Sequence, residues 1–117
     1  MFKINGNPTF TIAVTFEAGE EPLRLTCKRR KQTERAEAFD ALTTGLNNLG
    51  EGTTKEKTER ALAIQADFLA QFIESWEEAD AEFSRDNLLA MLNARDGAFQ
   101  KILEAYKKAG EGEAEKN

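Results

Sequence analysis

The sequence predicts an α+β fold: a small N-terminal antiparallel β-hairpin or meander packed against about four α-helices. Two observations carry that prediction. Between Thr9 and Lys28 apolar residues alternate with polar ones at a period of two, the signature of a half-buried strand. Beyond Lys31 the apolar spacing changes to threes and fours, the signature of one helix face.

In the strand region Phe10, Ile12, Val14 and Phe16 alternate with Thr9, Thr11, Ala13 and Thr15, all rich in β-formers. The turn residues Glu17-Ala18-Gly19-Glu20-Glu21-Pro22 follow, and alternation resumes with Leu23, Leu25 and Cys27. This reads as an antiparallel hairpin. Phe2 and Ile4 also alternate, and Gly6-Asn7-Pro8 offers a turn that would make them a third strand. Two or three strands with one apolar face are not stable alone, so helices must cover that face.

The first helix is expected near Thr33, with Phe39, Leu42, Leu46 and Leu49 on one face and Gly50-Glu51-Gly52 as its stop. Thr53 or Thr54 can cap the next, which the spacing extends roughly from Lys55 to Trp76. Its two stripes, Ile64, Phe68, Phe72, Trp76 and Leu62, Leu69, Ile73, make a wide face suited to the centre of the packing. A third helix is expected to be capped by Ser84, with Asp86 favouring its positive end, and to carry Leu88, Leu89, Met91 and Leu92. Asp96-Gly97 breaks it, and Phe99, Ile102, Leu103 and Tyr106 line a fourth. Residues 1–109 read as a single domain, with 110–117 as a disordered acidic tail.

Composition narrows the function. With 40% hydrophobic and 32% charged residues the 117-residue chain is a packed protein, and no apolar run approaches the roughly 20 residues of a membrane span. MFKINGNPTF lacks the blocks of a signal peptide and Cys27 has no second cysteine, so a cytoplasmic location is expected. Histidine is absent, which removes the commonest general base and the commonest transition-metal ligand. Ser-His and Cys-His pairs are thereby excluded, and the chain is read as a binding protein, not an enzyme, with no cofactor. Asp80, Glu82 and Ser84 alternate as Ca²⁺-loop ligands do. The loop's sixth position needs Gly and holds Arg85, and its twelfth needs Glu and holds Met91, so no metal is assigned. Residues 1–58 carry a net charge of +1 and residues 59–117 carry −6, which disfavours nucleic acid as a partner of the second half. Lys28-Arg29-Arg30-Lys31 is a basic cluster without interleaved aromatics, and so suits an acidic protein surface, or simple solvation, better than a single strand.

Residues 76–106 carry a more specific signal. A Trp at 76, then Phe83-Ser84-x-x-Asn87-Leu88, a Gly97-Ala98 turn and Ile102-Leu103-x-Ala105-Tyr106 follow in order. This resembles the C-terminal region of the small tail assembly chaperones of long-tailed bacteriophages. Relatives more often place an aromatic-proline pair before that glycine, where this chain has Arg95-Asp96. The resemblance implies a chaperone of the host cytoplasm that binds the tape measure protein, keeps it soluble while the tail tube protein polymerises, and is not retained in the virion. The rival readings are a small virion structural protein of tail or head completion and, more weakly, a regulatory module using Lys28–Lys31.

Under the chaperone reading, the residues expected to bind a partner are Phe72, Trp76, Phe83, Leu89 and Tyr106, with Lys28, Arg29 and Arg30 for an acidic surface. Unpaired sheet edges and the wide apolar helix face lead us to expect a homo-oligomer.

Overall fold

In a computed structural model the chain runs β1 (Thr9–Val14), β2 (Leu23–Lys28), α1 (Gln32–Asn47), α2 (Thr54–Ala70), β3 (Ile73–Glu77), α3 (Arg85–Ala94) and α4 (Ala98–Lys116). The structure describes residues 1–116, with side chains described through Gly110. The expected tail at 110–117 therefore falls mostly on residues whose side chains lie outside the described ones.

The expected hairpin forms. β1 and β2 pair antiparallel from Thr9–Lys28 to Val14–Leu23, so the apolar set of both strands lies on one face. Gly19 sits at φ 82° in the connecting turn, a conformation that suits a residue without Cβ. The third strand is β3, not the Phe2–Ile4 segment. It pairs antiparallel with β2 on the far side from β1, giving the order β1-β2-β3. Phe2 and Ile4 stand in solvent.

The second expected helix is correspondingly shorter. It ends at Ala70, and its last turn tightens as Gln71 and Phe72 donate to the carbonyls of Phe68 and Leu69. Ile73–Glu77 then extends because β2 is a central strand with a second row of donors and acceptors to satisfy. The amide of Lys28, for example, donates to the Phe72 carbonyl at 2.7 Å. A bulge between Thr26 and Cys27 sets Ile73 opposite Cys27 on the apolar face.

Local signals start the helices. The Thr53 hydroxyl accepts from the Glu56 amide at 3.1 Å, and the Glu56 carboxylate accepts from the Thr53 amide at 3.0 Å, a reciprocal cap. Ser84 accepts from the Asn87 amide at 3.0 Å, as the sequence predicts for α3. At the start of α1 the Glu34 carboxylate accepts from the Lys31 amide. Arg60 of α2 donates to the carbonyls of Leu49 and Glu51, closing the α1–α2 loop. These helices approach closely where Gly45 faces Ile64; a Cβ there would meet Ile64 Cδ1 at 3.2 Å.

The core is built from the sheet's apolar face, α2, α3 and α4. Leu25, Ile73, Leu88, Ile102 and Cys27 are its largest fully enclosed side chains. Burial pushes the Cys27 thiol up to about 12, which keeps it protonated and apolar in behaviour. No polar or charged residue is buried among the described residues.

Candidate functional site

Two grooves of about 500 Å³ each lie at opposite ends of the hairpin. The first sits where β1 begins and β2 ends, between α1 and α4. Its floor is an aromatic chain in which Phe39 meets Phe68 at 5.0 Å, Phe68 meets Phe72 at 4.9 Å, and Phe72 meets Tyr106 at 5.2 Å. Phe10 closes the series against Tyr106 at 5.1 Å. Tilted and edge-to-face rings of this kind contribute about 0.5–1.5 kcal/mol per pair beyond their burial. Leu103 and Phe39 are half-buried at the mouth, on the two facing helices.

The rim of this groove is cationic. Arg35 lies four residues before Phe39 on α1, and Lys107 four after Leu103 on α4, so each helix presents an apolar and a basic residue one turn apart. Lys107 Nζ stands 5.1 Å from the Phe39 ring centre, and the Arg29 guanidinium carbon 5.1 Å from that of Phe10. Tyr106 donates from its hydroxyl to the Lys28 carbonyl at 2.9 Å. Burial raises its pKa, while an Arg30 backbone hydrogen bond and the nearby charges of Arg35 and Arg29 pull the other way.

The second groove lies where β1 ends and β2 begins. Phe16, Leu23, Trp76 and Met91 supply apolar lining, all only half-buried, and Glu20, Glu21, Glu78 and Asp80 supply acid. Arg95 is its basic lining residue, but Glu20 holds it through two hydrogen bonds of 2.9 and 2.6 Å. The same guanidinium lies 5.5 Å from the centre of the Phe16 ring. Glu20 raises the Arg95 pKa further, so it stays charged throughout. Arg95 thereby ties the β1–β2 turn to the end of α3.

The residues singled out in the sequence divide between these places. Phe72 and Tyr106 are core residues that floor the first groove, and Arg29 lines it. Trp76 lines the second, packs edge-on against Phe83 at 5.2 Å and donates to the Ala81 carbonyl at 2.8 Å. That contact holds the acidic 78–82 loop, where Glu78 takes φ 58°. Phe83 and Leu89 are half-buried against the core and line neither groove. Lys28 contributes its backbone to both Tyr106 and Phe72. Arg29 donates to the Asn7 carbonyl at 2.7 Å and Arg30 to the Gln71 carbonyl at 2.9 Å, so these two basic residues clasp neighbouring chain segments. Sequence reasoning missed Arg35, Phe39, Leu103 and Lys107; their i, i+4 apolar–cation pairing on two helices is the signal that would have found them.

The motif residues at 83–106 serve as structural joints. Ser84 caps, the Asn87 side chain donates to the Glu82 carbonyl, Leu88 and Ile102 are enclosed, and Tyr106 bolts α4 to the end of β2. No helix among the described residues is long and apolar enough to cross a membrane. The family model described as phage tail assembly chaperone matches residues 1–117. No curated protein and no solved structure matches the chain.

Proposed function

Since the chain belongs to the phage tail assembly chaperone family, we propose that it seats an amphipathic helical segment of the tape measure protein in the groove between α1 and α4. It thereby keeps that client soluble until the tail tube protein polymerises, and leaves before the particle is complete. It works by binding in the host cytoplasm, without catalytic chemistry.

The observation that supports this reading is the pairing of an aromatic floor with a cationic rim. A helix laid in an apolar groove anchors through side chains at i, i+3 or i+4 and turns its polar face outward. Phe39 and Leu103, half-exposed at the mouth, are placed to meet such anchors, while Phe68, Phe72 and Tyr106 stiffen the surface beneath them. Arg35 and Lys107 would favour client helices that carry Asp or Glu beside their anchors, chiefly through faster encounter and register selection. The acidic second groove would repel those same helices.

The experiment is co-expression of the chain with the tape measure protein, using wild type and Leu103→Glu. The wild-type chain is expected to hold the client in the soluble fraction and to be missing from purified particles. The variant, checked as folded by circular dichroism, is expected to lose the client. A folded variant that solubilises the client as well as wild type would refute the groove. Stoichiometric retention in particles would favour the virion structural reading instead.

A further inference from the structure

The sheet has an open edge, and the chain has an apolar arm that its own fold leaves uncovered. β1 is bonded on one side to β2 and stands at the end of the order β1-β2-β3. The ladder's phase follows from one bond beyond it: Arg29 donates its amide to the Pro8 carbonyl. Pro8 and Arg29 are therefore a hydrogen-bonded pair, and so are Phe10–Cys27, Ile12–Leu25 and Val14–Leu23 in the same register. The amides and carbonyls of Thr9, Thr11 and Ala13 consequently point outward along the open edge. No charge, proline or bulge interrupts Thr9–Val14, which are the usual devices that keep an edge strand from pairing.

Met1, Phe2 and Ile4 are the exposed large hydrophobics of the described chain, with Phe2 and Ile4 at 88% and 89%. Their alternation puts Phe2 and Ile4 on one face of an extended segment and Lys3 on the other. Residues 1–5, laid out as a strand, reach about 17 Å, close to the length of β1. The segment is not paired to the β1 edge of its own chain. Arg29, at the end of β2, clasps Asn7, and a Cβ at Gly6 would meet Arg29 Cδ at 3.3 Å. Gly6 itself sits at φ 69° and donates to the Lys3 carbonyl, turning the arm back. The arm thus turns away without pairing to the β1 edge of its own chain.

We propose that residues 1–5 of one copy add as a strand to the open β1 edge of a second copy. In that position the arm's backbone bonds to Thr9, Thr11 and Ala13, and Phe2 and Ile4 extend the apolar face formed by Phe10 and Ile12. Lys3 falls on the threonine face, in water. The occupant is a second copy because this arm has the matching length, alternation and exposed apolar surface, and because it makes no strand pairing with its own β1. Uncharged β1 lets two copies meet there despite a net charge of −5 per chain. The contact joins two different parts of the chain, so it serves either a reciprocal pair or an extended array. It meets the first groove only at Phe10, and its test needs no client, so it can fail or hold independently of the client reading above.

The test uses two variants of the full chain. Phe2→Asp with Ile4→Asp spoils the arm and leaves the edge. Thr11→Pro removes one outward amide, which an edge strand tolerates, and leaves the arm. Sedimentation of wild type at tens of micromolar, on the order of weak-interface dissociation constants, is expected to show association. Each variant alone is expected to weaken the dissociation constant at least tenfold, and an equimolar mixture of the two is expected to restore a complex. Amide exchange guards against misfolding of the proline variant: Thr9, Thr11 and Ala13 should be protected in associated wild type and unprotected in the arm variant. A wild type that stays at 13.1 kDa, variants that associate as wild type does, or a mixture that stays apart would each overturn the proposal. So would protection of those amides in a dilute monomer, which would show the arm on its own edge.

Discussion

The two grooves are equal in size and opposite in character, and the difference lies in what stiffens them. Between α1 and α4 the floor is core: Phe68, Phe72 and Tyr106 are all nearly enclosed, so the surface offered to a partner is as rigid as the interior. At the other end the floor is only half-buried, and the walls are a turn and a loop tied down by two residues, Trp76 to Ala81 and Arg95 to Glu20. The first groove is therefore preorganised and cationic, the second adaptable and acidic. A site built this way loses little conformational freedom when a partner binds, so more of the contact energy appears as affinity.

The largest effect should come from cutting the shared floor. Phe72→Ala is expected to cost about 3–5 kcal/mol of folding stability in denaturant titration, because groove floor and core are the same side chain. Trp76→Ala should cost less, since its ring is only half-buried. Equal losses at the two positions would erase the contrast drawn above.

Next in size is the cap that starts α2. Thr53→Ala is expected to remove about 1 kcal/mol and to loosen the α1–α2 end without touching either groove. The hydrogen bonds from Thr53 also lower the Glu56 pKa, so their stabilisation is present above the ordinary glutamate range and is lost as pH falls through the depressed value. The alanine variant should show that acid sensitivity reduced.

A further effect appears in alkali. The enclosed Cys27 thiol is held up to about 12, while the unfolded thiol ionises near its ordinary value of about 8.5. Stability is thus complete below that ordinary value and falls as pH climbs toward 12. Cys27→Val should flatten the decline, and native Cys27 should resist thiol reagents until the protein unfolds. Smallest in stability is Arg95→Met, expected to leave the core intact but to speed amide exchange in the 15–22 turn, with no change at the first groove.

Sequence patterns revealed the hairpin, a cap at Thr53 or Thr54, the cap at Ser84, and the faces of α1 and α4, because each is encoded within a few neighbouring residues; the structure selects Thr53. The end of α2 was not legible. Phe68, Phe72 and Trp76 keep helical spacing, and no glycine or proline marks the break; the decision comes from β2, which needs a second strand from far along the chain. The same non-local pairing left Phe2 and Ile4 outside the sheet that their alternation suggested. Phe72 and Tyr106 were identified as aromatic anchors from residue type, but only the fold shows that they lie beneath the groove while Phe39 and Leu103 stand at its mouth. The basic cluster was visible as charge, whereas its clasping of the Asn7 and Gln71 carbonyls depends on segments distant in sequence.

The most direct test is amide exchange on the chain with and without the tape measure protein. The α1–α4 groove predicts new protection in the turns of helix carrying Arg35–Phe39 and Leu103–Lys107, and none around Leu23 or Met91. Protection confined to the acidic end, around Leu23, the 78–82 loop and Met91, would contradict it.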